Sequence, residues 1–319
     1  MFMIVVSSLV PLFLMVLAGW FARRRNILAA GAASALNDFV YYFSFPALIF
    51  VSLATTPIAE IFQGRFIAGF TLAMIASYVI MFVISSMLFK AHHTESCLRS
   101  TSASYPNCGY LGFPIMLSLF HGSKQAYVAS TLAVLVPTLI IMLVVAEFEY
   151  DRSHGSASLK AMAGRVFMSM VRTPVILSAF AGVGFSLTGW TIPEFLASAM
   201  RNFGMASIPC ALFAVGMLVA RMEMELKVRH VLSVNIVKII IQPILAAAFL
   251  ILFEVSGKML LMGILLAGMP TAATACILSQ VYRTCETETS ATVFISMLLY
   301  APIFAATVFV ADGFGLAVG

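Results

Sequence analysis

Long apolar runs, each close to the length of a bilayer crossing and separated by short polar stretches, fill most of the 319 residues. About 20 consecutive apolar residues carry an α-helix across the hydrocarbon core. Ten segments meet that standard, at 2–22, 36–56, 66–89, 98–120, 126–146, 173–190, 203–220, 231–253, 259–282 and 289–311. The stretches between them are too short for a soluble domain. The first run is followed, not preceded, by Arg23, Arg24 and Arg25. That order is the reverse of a signal peptide, so the run is expected to remain as a membrane helix.

The runs repeat. Pro11, Pro46, Pro106 and Pro137 are answered by Pro174, Pro209, Pro270 and Pro302, at separations of 163, 163, 164 and 165 residues. Ser44-Phe45-Pro46-Ala47-Leu48-Ile49-Phe50 also aligns with Ser207-Ile208-Pro209-Cys210-Ala211-Leu212-Phe213, sharing Ser, Pro and Phe. Five crossings per half, an odd number, turn the second half upside down relative to the first. The expected fold is therefore all-α and integral to the membrane, with ten transmembrane helices in two inverted five-helix repeats. Its parts are 1–150, a connector at 151–172, and 173–319. Inverted repeats are common in secondary transporters, which alternate access around a site at the repeat interface.

In the connector, Leu159, Met162, Ala163, Val166, Phe167, Met170 and Val171 fall at helical spacing, with Lys160, Arg165 and Arg172 on the other side. That pattern fits an amphipathic helix on the membrane surface; a basic tether is the alternative.

Composition supports the membrane reading. Hydrophobic residues make up 62% of the chain, charged residues 10%, and mean hydropathy is +1.04, more apolar surface than a water-soluble fold can cover. The cations are unevenly shared between the two sides. One side takes Arg23, Arg24, Arg25, Lys90, Arg99, Arg152, Lys160, Arg165, Arg172, Arg221, Lys227, Arg229 and Arg283; the other takes only Arg65, Lys124, Arg201 and Lys258. The positive-inside rule places both termini outside the cytoplasm, in an inner or plasma membrane. The net charge of +5 then reflects topology and anionic headgroups, and no nucleic-acid partner is expected. Five scattered cysteines, Cys97, Cys108, Cys210, Cys276 and Cys285, imply no disulfide framework and no metal spacing.

The chemistry is expected where helices break, because irregular backbone at membrane depth persists only in protein or beside a cavity. The fourth run packs two prolines and two glycines into 104–114, and the ninth carries Gly268-Met269-Pro270-Thr271 near mid-span. Proline removes a donor and clashes with the preceding turn. Asn107 and Thr271 follow the equivalent prolines, and both residue types cap helix starts. Two such starts would attract an anion through free N–H groups and the helix dipole; simple proline kinks are the alternative.

Lys238 is the only charge well inside a predicted span. Inserting an ammonium costs ~2.5 to 3.5 kcal/mol, which points to a function. No acidic partner is in sight, leaving helix carbonyls or a substrate carboxylate. Snorkelling over ~12 Å of helix rise is the competing account.

The string Ser102-Ala103-Ser104-Tyr105-Pro106-Asn107-Cys108-Gly109-Tyr110-Leu111-Gly112-Phe113-Pro114 resembles the fourth-helix motif of the auxin efflux carrier family, in its bacterial permease branch. Tyr42-Phe43-Ser44-Phe45-Pro46-Ala47-Leu48, Pro209-Cys210-Ala211-Leu212-Phe213-Ala214-Val215-Gly216, and Lys238 with Gln242-Pro243 extend the resemblance along the chain. It implies a carrier whose fourth and ninth helices cross at their prolines. It also implies organic-anion substrates, including malonate or malate for bacterial members, with a carboxylate held by Asn107 and the backbone at Pro106 and Pro270. The large hydrophilic loop of many plant members is absent. Taken together, the candidate substrate-binding residues are Pro106, Asn107, Gly109, Pro270, Thr271, Lys238, Gln242 and Ser44.

The expected partners are a small organic anion and the lipid bilayer, with a homodimer left open and no cofactor or metal. His92 and His93 are expected to be solvated in a loop, and Asn37 and Asp38 to mark the start of the second helix. An intramembrane enzyme is disfavoured because the chain has no H-E-x-x-H, no G-x-S-x-G and no paired intramembrane acids. A sodium-coupled symporter of amphipathic anions, like the architecturally similar bile-acid carriers, is the runner-up; a channel is a weaker alternative.

Overall fold

A computed structural model of the chain describes residues 2–29, 31–152, 164, 168, 173–220 and 227–313. The connector expected at 151–172 lies almost wholly outside the described residues, which are all-helical with no β-strand. In chain order the helices are α1 (Phe2–Arg24), α2 (Ala32–Ala54), α3 (Ile58–Leu88), α4 (His93–Ser104), α5 (Cys108–Leu119), α6 (Lys124–Arg152), α7 (Pro174–Thr188), α8 (Glu194–Val219), α9 (Val228–Leu252), α10 (Gly257–Ala267), α11 (Thr274–Tyr282) and α12 (Glu286–Gly313). Among the described residues, six are long and apolar enough to cross a membrane: α2, α3, α8 and α9, with α6 over Lys124–Ile141 and α12 over Glu286–Ala311. Helices α5, α7 and α10 are apolar but shorter.

Nine of the prolines sort into three classes. Pro11, Pro137, Pro209 and Pro302 sit inside uninterrupted helices. Pro106 and Pro270 stand between α4 and α5 and between α10 and α11. Three further prolines follow π-helical turns: Val40–Ser44 before Pro46, Cys108–Gly112 before Pro114, and Val237–Ile241 before Pro243. A proline has no N–H for the preceding turn and its ring crowds that carbonyl. A one-residue widening of the helix relieves both problems without ending it.

Asn37 and Asp38 do not start the second helix. Gly31 is the N-cap and α2 begins at Ala32, because Ala32-Ala33-Ser34-Ala35 already favours helix.

The chain forms two compact units, each drawing on both sequence halves. The first comprises 1–63, 109–135 and 170–221, the second 64–108, 136–169 and 222–319. In the first, α1 packs on α8 with backbones in close approach. A Cβ at Gly216 would lie 1.9 Å from the Val16 carbonyl oxygen, and one at Gly19 would lie 2.0 Å from that of Phe213. Small residues let membrane helices reach such contact, which supplies the dispersion that apolar burial cannot provide in lipid. In the second unit, α3 packs on α9, and a Cβ at Gly69 would press on Leu250.

Candidate functional site

The second unit contains both helix breaks, and its backbone joins them. The Asn107 N–H donates to the Pro270 carbonyl at 2.8 Å, and the Ala272 N–H donates to the Tyr105 carbonyl at 3.1 Å. These two rungs form an isolated antiparallel bridge between Pro106 and Thr271. Buried polar backbone needs partners, and each break satisfies the other.

The half-helices that end at the breaks leave C-terminal carbonyls unpaired. Lys238 and Gln242, one turn apart on α9, fill that need. Lys238 Nζ donates to the Ala267 carbonyl at 2.7 Å and to Gln242 Oε1, while Gln242 Nε2 donates to the Ser104 carbonyl at 2.8 Å. One pair of side chains thus caps α10 and α4, the two helices that run into the breaks. A cation at helix C-termini also meets the negative end of the dipole. Both side chains have no exposed area, so Lys238 is buried at the crossover and does not snorkel.

Thr271 is likewise engaged. Its hydroxyl donates to the Ser102 carbonyl at 2.8 Å, and its N–H donates to Ser296 Oγ at 3.1 Å. It does not cap α11, whose N-cap is Ala273 without a side-chain bond. Asn107 immediately precedes α5 and is 6% exposed. At the start of α11, the N–H groups of Ala273 and Thr274 have no acceptor among the described residues, and both residues are partly exposed. The sequence marked Thr271 as the cap and missed Thr274, three residues on.

Ser44 and Gly109 belong to the first unit. Ser44 is buried, and its hydroxyl donates to the Phe203 carbonyl. A Cβ at Gly109 would meet the Phe45 ring at 3.3 Å.

The profile of the family described as "Membrane transport protein" matches residues 4–308. This chain belongs to that family. It is the auxin efflux carrier family that the motifs around Pro106 resemble, and its members are membrane transporters. A "Putative malonate transporter" of Rhizobium meliloti (strain 1021) is 25% identical over 92% of this chain and 92% of its own length. The "Uncharacterized transporter YfdV" of Escherichia coli (strain K12) is 22% identical over 94% and 96%. An uncharacterized transporter of Methanocaldococcus jannaschii is 22% identical over 88% and 90%. With its apolar helices, the chain is a multi-pass membrane protein.

A buried ion pair escaped the sequence reading, which placed Arg99 among the loop cations. Arg99 Nε donates to Glu288 Oε1 at 2.6 Å and Nη2 donates to Oε2 at 3.2 Å. Nη1 reaches Ser85 Oγ at 3.2 Å, and His230 Nδ1 lies 3.3 Å from Glu288 Oε2. Both charged side chains are 5% exposed. The cluster ties α4 to α3, α9 and α12 beside the crossover helices.

Proposed function

We propose that this protein is a secondary transporter of small organic anions, mono- or dicarboxylates of the malonate or malate kind. In this reading it works by alternating access around helices 4 and 9 of a ten-helix inverted repeat. In that repeat α4 with α5, and α10 with α11, each count as one broken crossing. The observation that carries the reading is the paired break. The α11 start offers the Ala273 and Thr274 N–H groups, and Asn107 is held at the other break by its bond to the Pro270 carbonyl. Helix N-termini attract anions, and the malonate relative supports a dicarboxylate. Lys238 and Gln242 support the site from behind, as donors to the helix ends.

Asn107→Ala tests this. Loss of a hydrogen bond to a charged group is worth roughly 1.5–3 kcal/mol, an affinity loss of about 10- to 150-fold. Asn202→Ala, at the exposed surface, should leave affinity unchanged. Isothermal titration of folded protein with malonate gives the comparison. Equal affinity in both variants removes Asn107 from the site. Thr271→Val should instead lower stability, because its hydroxyl serves the Ser102 carbonyl.

We also propose that both termini lie outside the cytoplasm, on the strength of the loop charges. Native cysteines are poor reporters of this. Cys97 is fully buried, and burial pushes the Cys285 thiol pKa up, so little thiolate forms. Lys90, on a loop, and Lys258, in the first turn of α10, are exposed on opposite expected sides. In a cysteine-free background, an impermeant thiol reagent on intact cells should label Lys258→Cys and spare Lys90→Cys. The reverse pattern inverts the topology.

A further inference from the structure

Away from the crossover, still in the second unit, three side chains with metal-binding atoms converge at the start of α4. His93 and Cys97 are one turn apart and share a face of that helix, and α6 brings Glu147 to it. His93 Nε2 lies 3.3 Å from Glu147 Oε1, and Cys97 Sγ lies 3.4 Å from each of those two atoms. A tetrahedral zinc ion with bonds of about 2.0–2.1 Å to nitrogen and oxygen and about 2.3 Å to sulfur sets N···O near ~3.4 Å and S···N or S···O near ~3.5 Å. The observed triangle matches one face of that tetrahedron.

Two further features favour an ion. Tyr78 Oη donates to the other carboxylate oxygen, Glu147 Oε2, at 3.0 Å. Such an outer hydrogen bond fixes the carboxylate and leaves Oε1 to a metal. Exposure is also graded: Cys97 is fully buried, whereas the side chains of His93 and Glu147 are 46% and 38% exposed. An ion can therefore enter from the open side and come to rest against the sulfur. His93 is exposed, as expected, but it opens α4 instead of lying in a loop, and the i, i+4 cysteine and the distant glutamate both reach it.

We propose that His93, Cys97 and Glu147 form a three-ligand site for Zn²⁺, with water at the fourth position, that clips α4 to α6. As the Zn–S bond forms, the Cys97 thiol proton passes to solvent. The thiolate and carboxylate then neutralise the divalent ion. A thiolate ligand and three-atom geometry select against Mg²⁺ and Ca²⁺, which require oxygen ligands in larger number. Because α4 ends at Ser104, beside the crossover rungs, the ion braces a helix that carries part of the transport site.

The test uses full-length protein, purified without a histidine tag and stripped with chelator, titrated first with Co²⁺ and then with Zn²⁺. Wild type should take up one equivalent of Co²⁺ with a thiolate-to-cobalt charge-transfer band that Zn²⁺ bleaches. Zn²⁺, but not Mg²⁺, should raise its thermal midpoint. The band should be lost in Cys97→Ser, and saturable binding lost in His93→Ala and in Glu147→Gln, which keeps the shape of the side chain. Both should persist in His92→Ala and Cys285→Ser. A wild type without the band, or a band that survives Cys97→Ser, overturns the site even if a variant folds poorly.

Discussion

Glu288→Gln is expected to destabilise the second unit by about 3 kcal/mol or more, within the ~3–5 kcal/mol range for breaking a buried ion pair. The substitution leaves the Arg99 guanidinium, 5% exposed, without its bidentate counter-charge. Glu95 stands 3.5 Å from Arg99 Nη2 and recovers part of the loss, which places the effect toward the lower end. Arg99→Met is expected to cost a similar amount, because it strands the carboxylate beside His230. The double variant Arg99→Met/Glu288→Leu should recover most of the stability, since apolar residues of similar volume remove both desolvation penalties. Thermal unfolding in detergent reads all three. Single variants at the wild-type midpoint, or a double variant no better than either single, would contradict a strongly coupled buried pair.

The second large effect lies at the capping pair, where the ranking is the informative result. Gln242→Leu strands the Lys238 ammonium on one carbonyl and leaves the Ser104 carbonyl unpaired, for a loss of about 3 kcal/mol or more. Lys238→Met leaves the Ala267 carbonyl and Gln242 Oε1 without a donor. It also removes a charge that was costly to bury, so its net loss is about 2 kcal/mol or less. Gln242→Leu should therefore unfold first on heating, although it removes the uncharged partner. If Lys238 acts only as a counter-charge for substrate, both variants keep the wild-type midpoint and only ligand affinity falls.

Much of the fold follows from the apolar runs, because about 20 residues of low polarity have few other stable arrangements. Which prolines interrupt a helix is harder to read. All four proline pairs repeat at nearly the same offset, yet Pro106 and Pro270 stand between helices, Pro174 opens α7, and the others lie within helices. Gly109 and Gly112 follow Pro106, Gly268 precedes Pro270, and the carbonyls exposed at these breaks are met by Lys238 and Gln242. The donors come from α9, over a hundred residues from the first break, and a local pattern does not reveal them.

The same limit hid the Arg99–Glu288 pair, whose members are 189 residues apart. Arg99 looks like a loop cation until α12 brings its partner to it. His93 and Cys97 lie before the apolar run that starts at 98, so their i, i+4 pairing appears only once α4 is seen to begin at His93, and Glu147 joins them only through the packing of α6. Lys238 was the most legible site residue, since a lone ammonium deep in an apolar run requires an explanation. The sequence left helix carbonyls and substrate as alternatives, and the structure places the ammonium on a carbonyl and an amide.

Counterflow in proteoliposomes tests the central claim most directly. Purified protein is reconstituted into vesicles preloaded with unlabelled malonate and diluted into a trace of labelled malonate. The carrier account predicts a transient overshoot of internal label that saturates with external malonate, is competed by other small dicarboxylates, and is weakened in Asn107→Ala. Linear flux without overshoot would indicate a channel, and absence of protein-dependent flux for malonate and every other small carboxylate would contradict transport of this anion class.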